Sequence, residues 1–393
     1  MNSLYIISAV GKDRPGLVSI VSDAISKLNI NIVDVDARAI RGHFSMFLVV
    51  DLSTSKSDFK KMLYELEKIS SNFNLGIRTD EYRPIVRNAK KRLYILTMIG
   101  NDKPGLVASI SGFLSFNSVN IEIIRMIARG AYIAMELTID VADIKNLKNF
   151  RQKIYKHAKE IEMDVSLIEC GIHSKPKKVI LFDCDSTIIQ QEIIDEIGKL
   201  AGVEKSIKTL TSDAMKGNID FEHALVKRVK LLKGLKAEKL QNLIQTIEMT
   251  PGAEELISVL RFMGYKIGII SGGFSFFTDY LKESLSLDFV FANELEIQDN
   301  IVTGKIVGEI ITAERKGEIL KEIAIMENIS VDQIVAVGDG SNDRFMLDNA
   351  GLAIGFNPKE ILKDYSDGII TSKNISGLLY FLGVPESNVN NIK

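Results

Sequence analysis

The second half of the 393-residue chain carries four polar clusters with the makings of phosphoryl chemistry: Asp183-Cys-Asp185-Ser-Thr187, Ser271-Gly272-Gly273, Lys316, and Gly338-Asp339-Gly340-Ser-Asn342-Asp343. Three or four aspartates gathered at one place repel one another unless a cation joins them, and an all-oxygen carboxylate set at a phosphate site suits Mg²⁺. A carboxylate attacks phosphorus once the charges of both are neutralised, giving an aspartyl phosphate. Asp183 is placed for that attack. Asp185, two residues on and on the same side if strand geometry persists, would protonate the leaving oxygen and later take a proton from water. That role needs a pKa above the ~3.9 of free aspartate. Ser271 and the following glycine N–H groups supply donors for phosphate oxygens, and glycine permits close backbone approach. Lys316, at the expected start of a helix, would balance the nucleophile and the phosphate together.

These residues need a scaffold that brings them to one place. Val179-Ile-Leu-Phe182, Lys266-Ile-Gly-Ile-Ile270, Gln333-Ile-Val-Ala-Val337 and Gly351-Leu-Ala-Ile-Gly355 are short apolar runs separated by helical segments. Such runs read as strands buried on both faces of a parallel sheet, in a doubly wound α/β domain whose ligands bind beyond the carboxyl ends of the strands. Three polar clusters follow three of those strands and would converge on one sheet edge. Taken singly, D-x-D-x-T also reads as a turn or N-cap, S-G-G as a loop, G-D-G-x-N-D as a turn, and a helical lysine as solvated. The ordered set favours the chemical reading.

Asp183-x-Asp185-x-Thr187, Ser271, Lys316 and Gly338-Asp339-x-x-Asn342-Asp343 resemble the four motifs of the haloacid-dehalogenase (HAD) superfamily, and residues 178 to 385 resemble its phosphoserine phosphatase branch in particular. The resemblance implies Asp183 as nucleophile and Asp185 as acid and base. It implies Mg²⁺ held by Asp183, the Asp185 carbonyl and Asp339, with Asp343 and Asn342 supporting the site, and Ser271, Gly272 and Lys316 holding the phosphate. A small helical cap over about 190–250 would choose the substrate. There Glu192 and Arg228 stand where the resemblance assigns the ammonium and carboxylate of L-phosphoserine, and Met215 and Phe221 match its apolar lining. Arginine suits a carboxylate because its planar fork reaches both oxygens. Phe291 to Gly304 alternates around Asp299-Asn300 and reads as a hairpin. Cys184 should face away from the aspartates as a small buried filler.

The first half repeats itself at an offset of 89 residues: Gly11-Lys-Asp13-Arg-Pro15-Gly16-Leu17-Val18 matches Gly100-Asn-Asp102-Lys-Pro104-Gly105-Leu106-Val107, and Leu4-Tyr5-Ile6-Ile7 matches Leu93-Tyr94-Ile95-Leu96. Each copy reads as strand, polar turn, amphipathic helix (Leu17 to Leu28; Leu106 to Phe116) and further strands, hence two small α+β units. The doubled Asp-x-Pro-Gly-Leu-Val motif resembles the ACT domain, a βαββαβ unit that commonly pairs and binds amino acids. The resemblance implies a homo-oligomer assembled through these modules and a possible amino-acid effector, serine being the logical one. Gly16 and Gly105, each at a helix N-terminus with free N–H groups, are the candidate effector positions. Equally, the glycines could only make the turns. Charged, aperiodic stretches at Asn88-Ala-Lys-Lys-Arg92 and His173-Ser-Lys-Pro-Lys-Lys178 separate three domains: 1–85 and 90–172, both ACT-like, and 177–393, a HAD Rossmann-like phosphatase domain.

A net charge of −2 provides no basic field for nucleic acid or an anionic membrane. The two cysteines, Cys170 and Cys184, form no CxxC pair, and no run of about 18 apolar residues occurs, so a reducing cytoplasm and no membrane span are expected. The expected activity is Mg-dependent hydrolysis of L-phosphoserine in serine biosynthesis. The alternatives are transfer of the phosphate to an alcohol such as homoserine, or amino-acid sensing without turnover.

Overall fold

The computed structural model of the protein describes residues 4–53, 59–83, 91–129, 133–170, 176–215 and 219–384, with the side chains of Arg129, residues 213–215 and Phe221 outside that description. Parts of both charged joints, 88–90 and 173–175, also lie outside it. The chain forms two units, Met1–Asn88 and Ala89–Lys393.

The first unit runs β1 (Leu4–Lys12), α1 (Leu17–Lys27), β2 (Asn31–Ile40), β3 (His43–Asp51), α2 (Phe59–Phe73) and β4 (Gly76–Glu81). Its antiparallel sheet has the order β2-β3-β1-β4. Leu17, Val21 and Ile25 of α1 and Met62, Leu66 and Ile69 of α2 recur at helical spacing, and both stripes are buried against Ile7, Ala9, Met46 and Leu48. The alternate strand residues Val10 and Phe47 remain about half exposed, at 49% and 53%.

The second unit begins with the repeat of that topology. It comprises β5 (Leu93–Gly100), α3 (Leu106–Phe116), β6 (Asn120–Arg129), β7 (Ile133–Asp140), α4 (Leu147–Glu160) and β8 (Met163–Glu169). The α/β part follows. Its first strand is β9 (Val179–Phe182), after which α5 (Ile193–Leu200), α6 (Glu204–Met215), α7 (Phe221–Leu231) and α8 (Ala237–Ile244) form the helical insert expected over 190–250. Then come α9 (Ala253–Phe262), β10 (Lys266–Phe274), α10 (Ser275–Leu285), the hairpin β11 (Phe289–Gln298) and β12 (Ile301–Val307), and α11 (Ala313–Met326). The chain continues through β13 (Ile334–Gly338), α12 (Arg344–Asn349), β14 (Leu352–Phe356), β15 (Gly368–Ile370) and α13 (Leu378–Phe381). The hairpin turns at Asp299 and Asn300, with φ of 50° and 62°, the paired positive values a two-residue I′ turn requires.

β9, β13 and β14 are buried at every residue, and β9 pairs in parallel with β10 on one side and β13 on the other. Continuous apolar runs therefore occupy the middle of a doubly wound sheet. One strand differs from the sequence expectation. β10 does not stop at Ile270 but runs to Phe274, its register shifting between these residues before Phe274 pairs with Asn293. Ser271, Gly272 and Gly273 thus lie in an irregular stretch of the strand itself. Glycine-rich backbone bulges there without a side chain to oppose it.

The sheet does not end with the α/β part. Its order is β12-β11-β10-β9-β13-β14-β15-β8-β5-β7-β6, because β15 pairs antiparallel with β8, Gly368 opposite Ser166 and Ile369 opposite Val165. The buried Asp164 accepts the Thr371 and Ser372 backbone N–H groups at 2.5 and 3.3 Å and the Thr371 hydroxyl at 2.7 Å. The second repeat and the α/β part, which the sequence separates at 173–178, share one eleven-stranded sheet.

Candidate active site

Asp183 follows β9 directly, and its N–H donates to the Val337 carbonyl at 2.8 Å, tying it to the neighbouring strand β13. The backbone then makes one wide turn over Cys184–Ile188, closed by the Ile189 N–H donating to the Cys184 carbonyl and passing through Ser186 at φ 57°. This turn sends Cys184 into the apolar core, 1% exposed, while Asp185 faces the cavity. A Cβ added to Gly273 would stand 3.2 Å from Asp185 Oδ2 and 3.0 Å from Ser271 Oγ, so glycine lets β10 approach this closely.

Lys316 lies in the first turn of α11, which Thr312 caps by accepting the Arg315 N–H. It has no exposed surface, and its Nζ stands 2.7 Å from both Asp183 Oδ1 and Asp343 Oδ1. The other oxygen of Asp343 accepts the N–H groups of Asp339 and Gly340 at 3.1 and 3.0 Å. Both Asp343 oxygens are therefore engaged, and this residue holds Lys316 and the 338–340 loop in position. A Cβ on Gly338 would fall 2.5 Å from Asp343 Cγ, so this contact needs glycine. Burial would lower the Lys316 ammonium, but Asp183 and Asp343 overcome it and hold its pKa above the usual range.

The carboxyls respond in the opposite sense. Burial, reinforced by the Asp343 charge and only partly relieved by Lys316, pushes Asp183 up to about 8. Burial and Asp343 also push Asp339 up to about 7. Asp185 is raised too, by burial first and then by the charges of Glu192 and Asp183, although the Ile193 N–H opposes the shift. Asp183, Asp339 and Asp343 can each offer an oxygen within 4.8 Å of the others. With Asp343 engaged, Asp183 Oδ2 and the Asp339 carboxylate remain as oxygen donors. This donor set fits a hard cation, and burial of so much negative charge calls for one.

The cavity above them encloses about 290 Å³ and is lined by Asp183, Asp185, Glu192, Arg228, Gly272, Asp339 and Asn342, with Asp195, Thr211, Ser341 and Lys359 among the others. The sheet edge and the helical insert thus bring most of the sequence-selected residues together. Arg228 on α7 is 7% exposed; its Nε donates to the Ala224 carbonyl and its Nη1 to Thr211 Oγ1, both at 3.3 Å. Those bonds orient the guanidinium while Glu192 and Asp195 supply opposing charge. Glu192, at the N-cap of α5, is exposed and accepts the Ser186 hydroxyl at 3.1 Å. Ser271 is buried, and its Oγ accepts the Gly273 N–H at 2.8 Å. The side chains of Met215 and Phe221 lie outside the described ones. Gly16 and Gly105 occupy the N-caps of α1 and α3 with φ of 94° and 93°. Gly16 also lines a shallow cavity of about 230 Å³ with Arg14 and Arg38.

Four contributors carry no motif of their own. Thr211 and Asp195 sit on cap helices with ordinary surface spacing. Asn293, buried on β11, donates to the Gly272 carbonyl and accepts the Ile311 N–H, both at 2.9 Å, joining the irregular stretch of β10 to the approach of α11. Lys359 follows β14, and its position past a strand end was the available signal.

Residues 177–351 match the haloacid dehalogenase-like hydrolase family, and residues 3–80 and 92–167 match the ACT domain. A phosphoserine phosphatase of Archaeoglobus fulgidus is 40% identical over 342 residues, which is 87% of this chain and 98% of that protein. Two solved structures cover 53% of this chain and 99% of their own. One is described as a phospho-aspartyl intermediate analogue of phosphoserine phosphatase (46% identity, TM-score 0.50) and the other as a substrate-bound phosphoserine phosphatase complex (45%, 0.51). The motif residues converge on one sheet edge beneath a helical insert, two βαββαβ repeats precede them in the chain, and a relative is 40% identical along nearly its whole length; the chain belongs to the phosphoserine phosphatase family of haloacid dehalogenase-like hydrolases, in the form that carries two ACT domains.

Proposed function

We propose that the chain hydrolyses L-phosphoserine to L-serine and phosphate through a phosphorylated Asp183. The observation that carries this reading is the pairing, in one cavity, of a lysine-held aspartate with the buried Arg228 and the exposed Glu192. Arg228 takes the substrate carboxylate and Glu192 its ammonium. Ser271, Gly272, Asn342 and Lys316 hold the phosphate oxygens. The Asp183 carboxylate attacks phosphorus in line with the serine Oγ, the P–O(serine) bond breaks, and the Asp185 proton passes to that leaving oxygen. Asp185, now ionised, takes a proton from water, whose oxygen attacks phosphorus and releases Asp183 and inorganic phosphate. Burial raises the Asp185 carboxyl, which favours the protonated form that the first step needs.

Mg²⁺ is the proposed cation, held by Asp183, Asp339 and the Asp185 carbonyl; it neutralises the charge of nucleophile and phosphate. For the amino-terminal modules we propose an effector role for an amino acid, with serine as the first candidate, at the helix N-termini behind Gly16 and Gly105. Exposed Val10 and Phe47 support self-association through the first module. No helix among the described residues is long and apolar enough to cross a membrane, in keeping with a cytoplasmic biosynthetic enzyme.

The test is phosphate release from a panel of phosphomonoesters, with Mg²⁺ and with chelator, beside Asp183→Asn. Phosphoserine should lead the panel, and the Asn variant should lose at least about three orders of magnitude. Activity surviving in Asp183→Asn defeats the covalent route, and equal turnover of generic esters defeats the substrate assignment.

A further inference from the structure

Lys359 reaches the cavity from the loop that follows β14. Its Nζ stands 3.7 Å from Asp339 Oδ2, its side chain is 47% exposed, and it lines the cavity beside Asp183, Gly272 and Asn342. Its own N–H donates to the Asp339 carbonyl at 2.9 Å, which fixes the backbone here against the 338–340 loop. Six carboxyl groups surround this space (Asp183, Asp185, Glu192, Asp195, Asp339 and, behind them, Asp343), against the cations Lys316, Arg228 and Lys359. Arg228 hydrogen-bonds within the cap, and two of the three Lys316 ammonium hydrogens are taken by carboxylates. Lys359 alone of the three is solvated, and no described residue holds it closer than 3.7 Å, so all three of its ammonium donors are open to a phosphate dianion.

What sets it there comes from the second ACT domain. The 3₁₀ segment Glu360–Tyr365 follows Lys359, with the Leu362 N–H donating to the Lys359 carbonyl and the Ser366 hydroxyl to the Leu362 carbonyl. Helix α4 grips the far end. Lys148 pairs with Asp364 at 3.0 Å, and Gln152 donates to the same carboxylate at 3.0 Å. Arg151 donates to the Ser366 carbonyl and to Asp367 at 3.0 and 2.6 Å, and the Tyr155 hydroxyl donates to the Ser366 carbonyl at 2.6 Å. One short segment thus has its first residue against Asp339 and its last residues in the grasp of a helix from another domain.

We propose that Lys359 is a second phosphate-binding cation of the active site, and that helix α4 of the second ACT domain positions it through residues 360–367. The inference rests on the proposed phosphoserine hydrolysis, and it gives the second ACT domain a direct mechanical line to the phosphate end of the pocket.

The test compares wild type with Lys359→Met, Lys359→Arg and the double variant Lys148→Ala/Gln152→Ala, all in the full chain with Mg²⁺. Inorganic phosphate binding is measured by calorimetry and KM and kcat with phosphoserine; unfolding midpoints confirm the fold. Lys359→Met should weaken phosphate binding and raise KM by about tenfold, with a smaller change in kcat and a shrinking effect as salt is added. Lys359→Arg should restore most of the loss. The α4 double variant should shift phosphate binding in the same direction and add little on top of Lys359→Met. Unchanged phosphate affinity in Lys359→Met, or tighter Mg²⁺ binding as its only effect, reduces Lys359 to a counter-ion of Asp339 and overturns the proposal. A wild-type phosphate affinity in the α4 variant overturns the positioning by that helix. Failure of wild type to turn over phosphoserine would instead sink the proposed function, a result separately visible because phosphate binding is read without turnover.

Discussion

Mg²⁺ loading should expel protons from the site, in a number that falls as pH rises. In the metal-free protein Asp183 titrates at about 8 and Asp339 at about 7, so both are largely protonated at pH 6. A metal ion binds only the ionised forms. The expected release is about two protons per ion at pH 6, about 1.4 at pH 7 and about 0.6 at pH 8. Mg²⁺ affinity should accordingly rise with pH, steeply below 7 and little above 8. Calorimetry in two buffers of different ionisation enthalpy counts the protons directly. Asp339→Asn supplies the control and should bring the count at pH 7 down to about 0.9. The sign also predicts stability. Both groups have folded values raised above the unfolded one, so the stability they confer is present in acid and drains away as pH climbs from about 4 through 8. Mg²⁺ should flatten that decline. Release of no protons at pH 6 would mean that both carboxylates are already ionised, and the account of a burial-charged site would be wrong.

Lys316→Met strands two buried carboxylates, so it should cost about 3–5 kcal/mol at pH 8 in denaturant titrations, and less at pH 5, where Asp183, pushed up to about 8, carries a proton. Arg228→Met should raise KM for phosphoserine about a hundredfold yet barely change that for phosphoethanolamine, which lacks the carboxylate; equal losses would remove Arg228 from substrate recognition. Asn293→Ala should lower stability by about 2 kcal/mol, because it deletes the bonds to Gly272 and Ile311. Gly338→Ala should abolish turnover by driving Asp343 off Lys316, with crystallography or activity as the check.

Much of this was legible in the sequence because the chemistry sits at strand ends. A run such as Val179–Phe182 announces a buried parallel strand, and whatever follows it must reach the sheet edge. The repeat at an offset of 89 residues likewise gave both βαββαβ units. The extension of β10 through Ser271–Phe274 was not legible, because glycines erase the side-chain alternation that marks a strand. Nor were Asn293 and Thr211, whose contacts are with residues distant in the chain. The shared sheet was hidden for a similar reason: β15 has three residues, too few for any periodic signal, and its partner β8 lies about 200 residues earlier.

That last separation bears on how the protein is made. Val165 and Ser166 leave the ribosome long before Gly368 and Ile369, and at 5–20 residues per second β8 waits roughly 10–40 s for its partner. Through that interval the second ACT domain presents an open strand edge in a crowd of other nascent chains. Asp164, on β8, is a charge that a foreign strand must meet with donors in the right place, whereas the residues just after β15 bring the Thr371 and Ser372 N–H groups into register with it. The same carboxylate thus guards the edge before synthesis is complete and fastens the domains once it is.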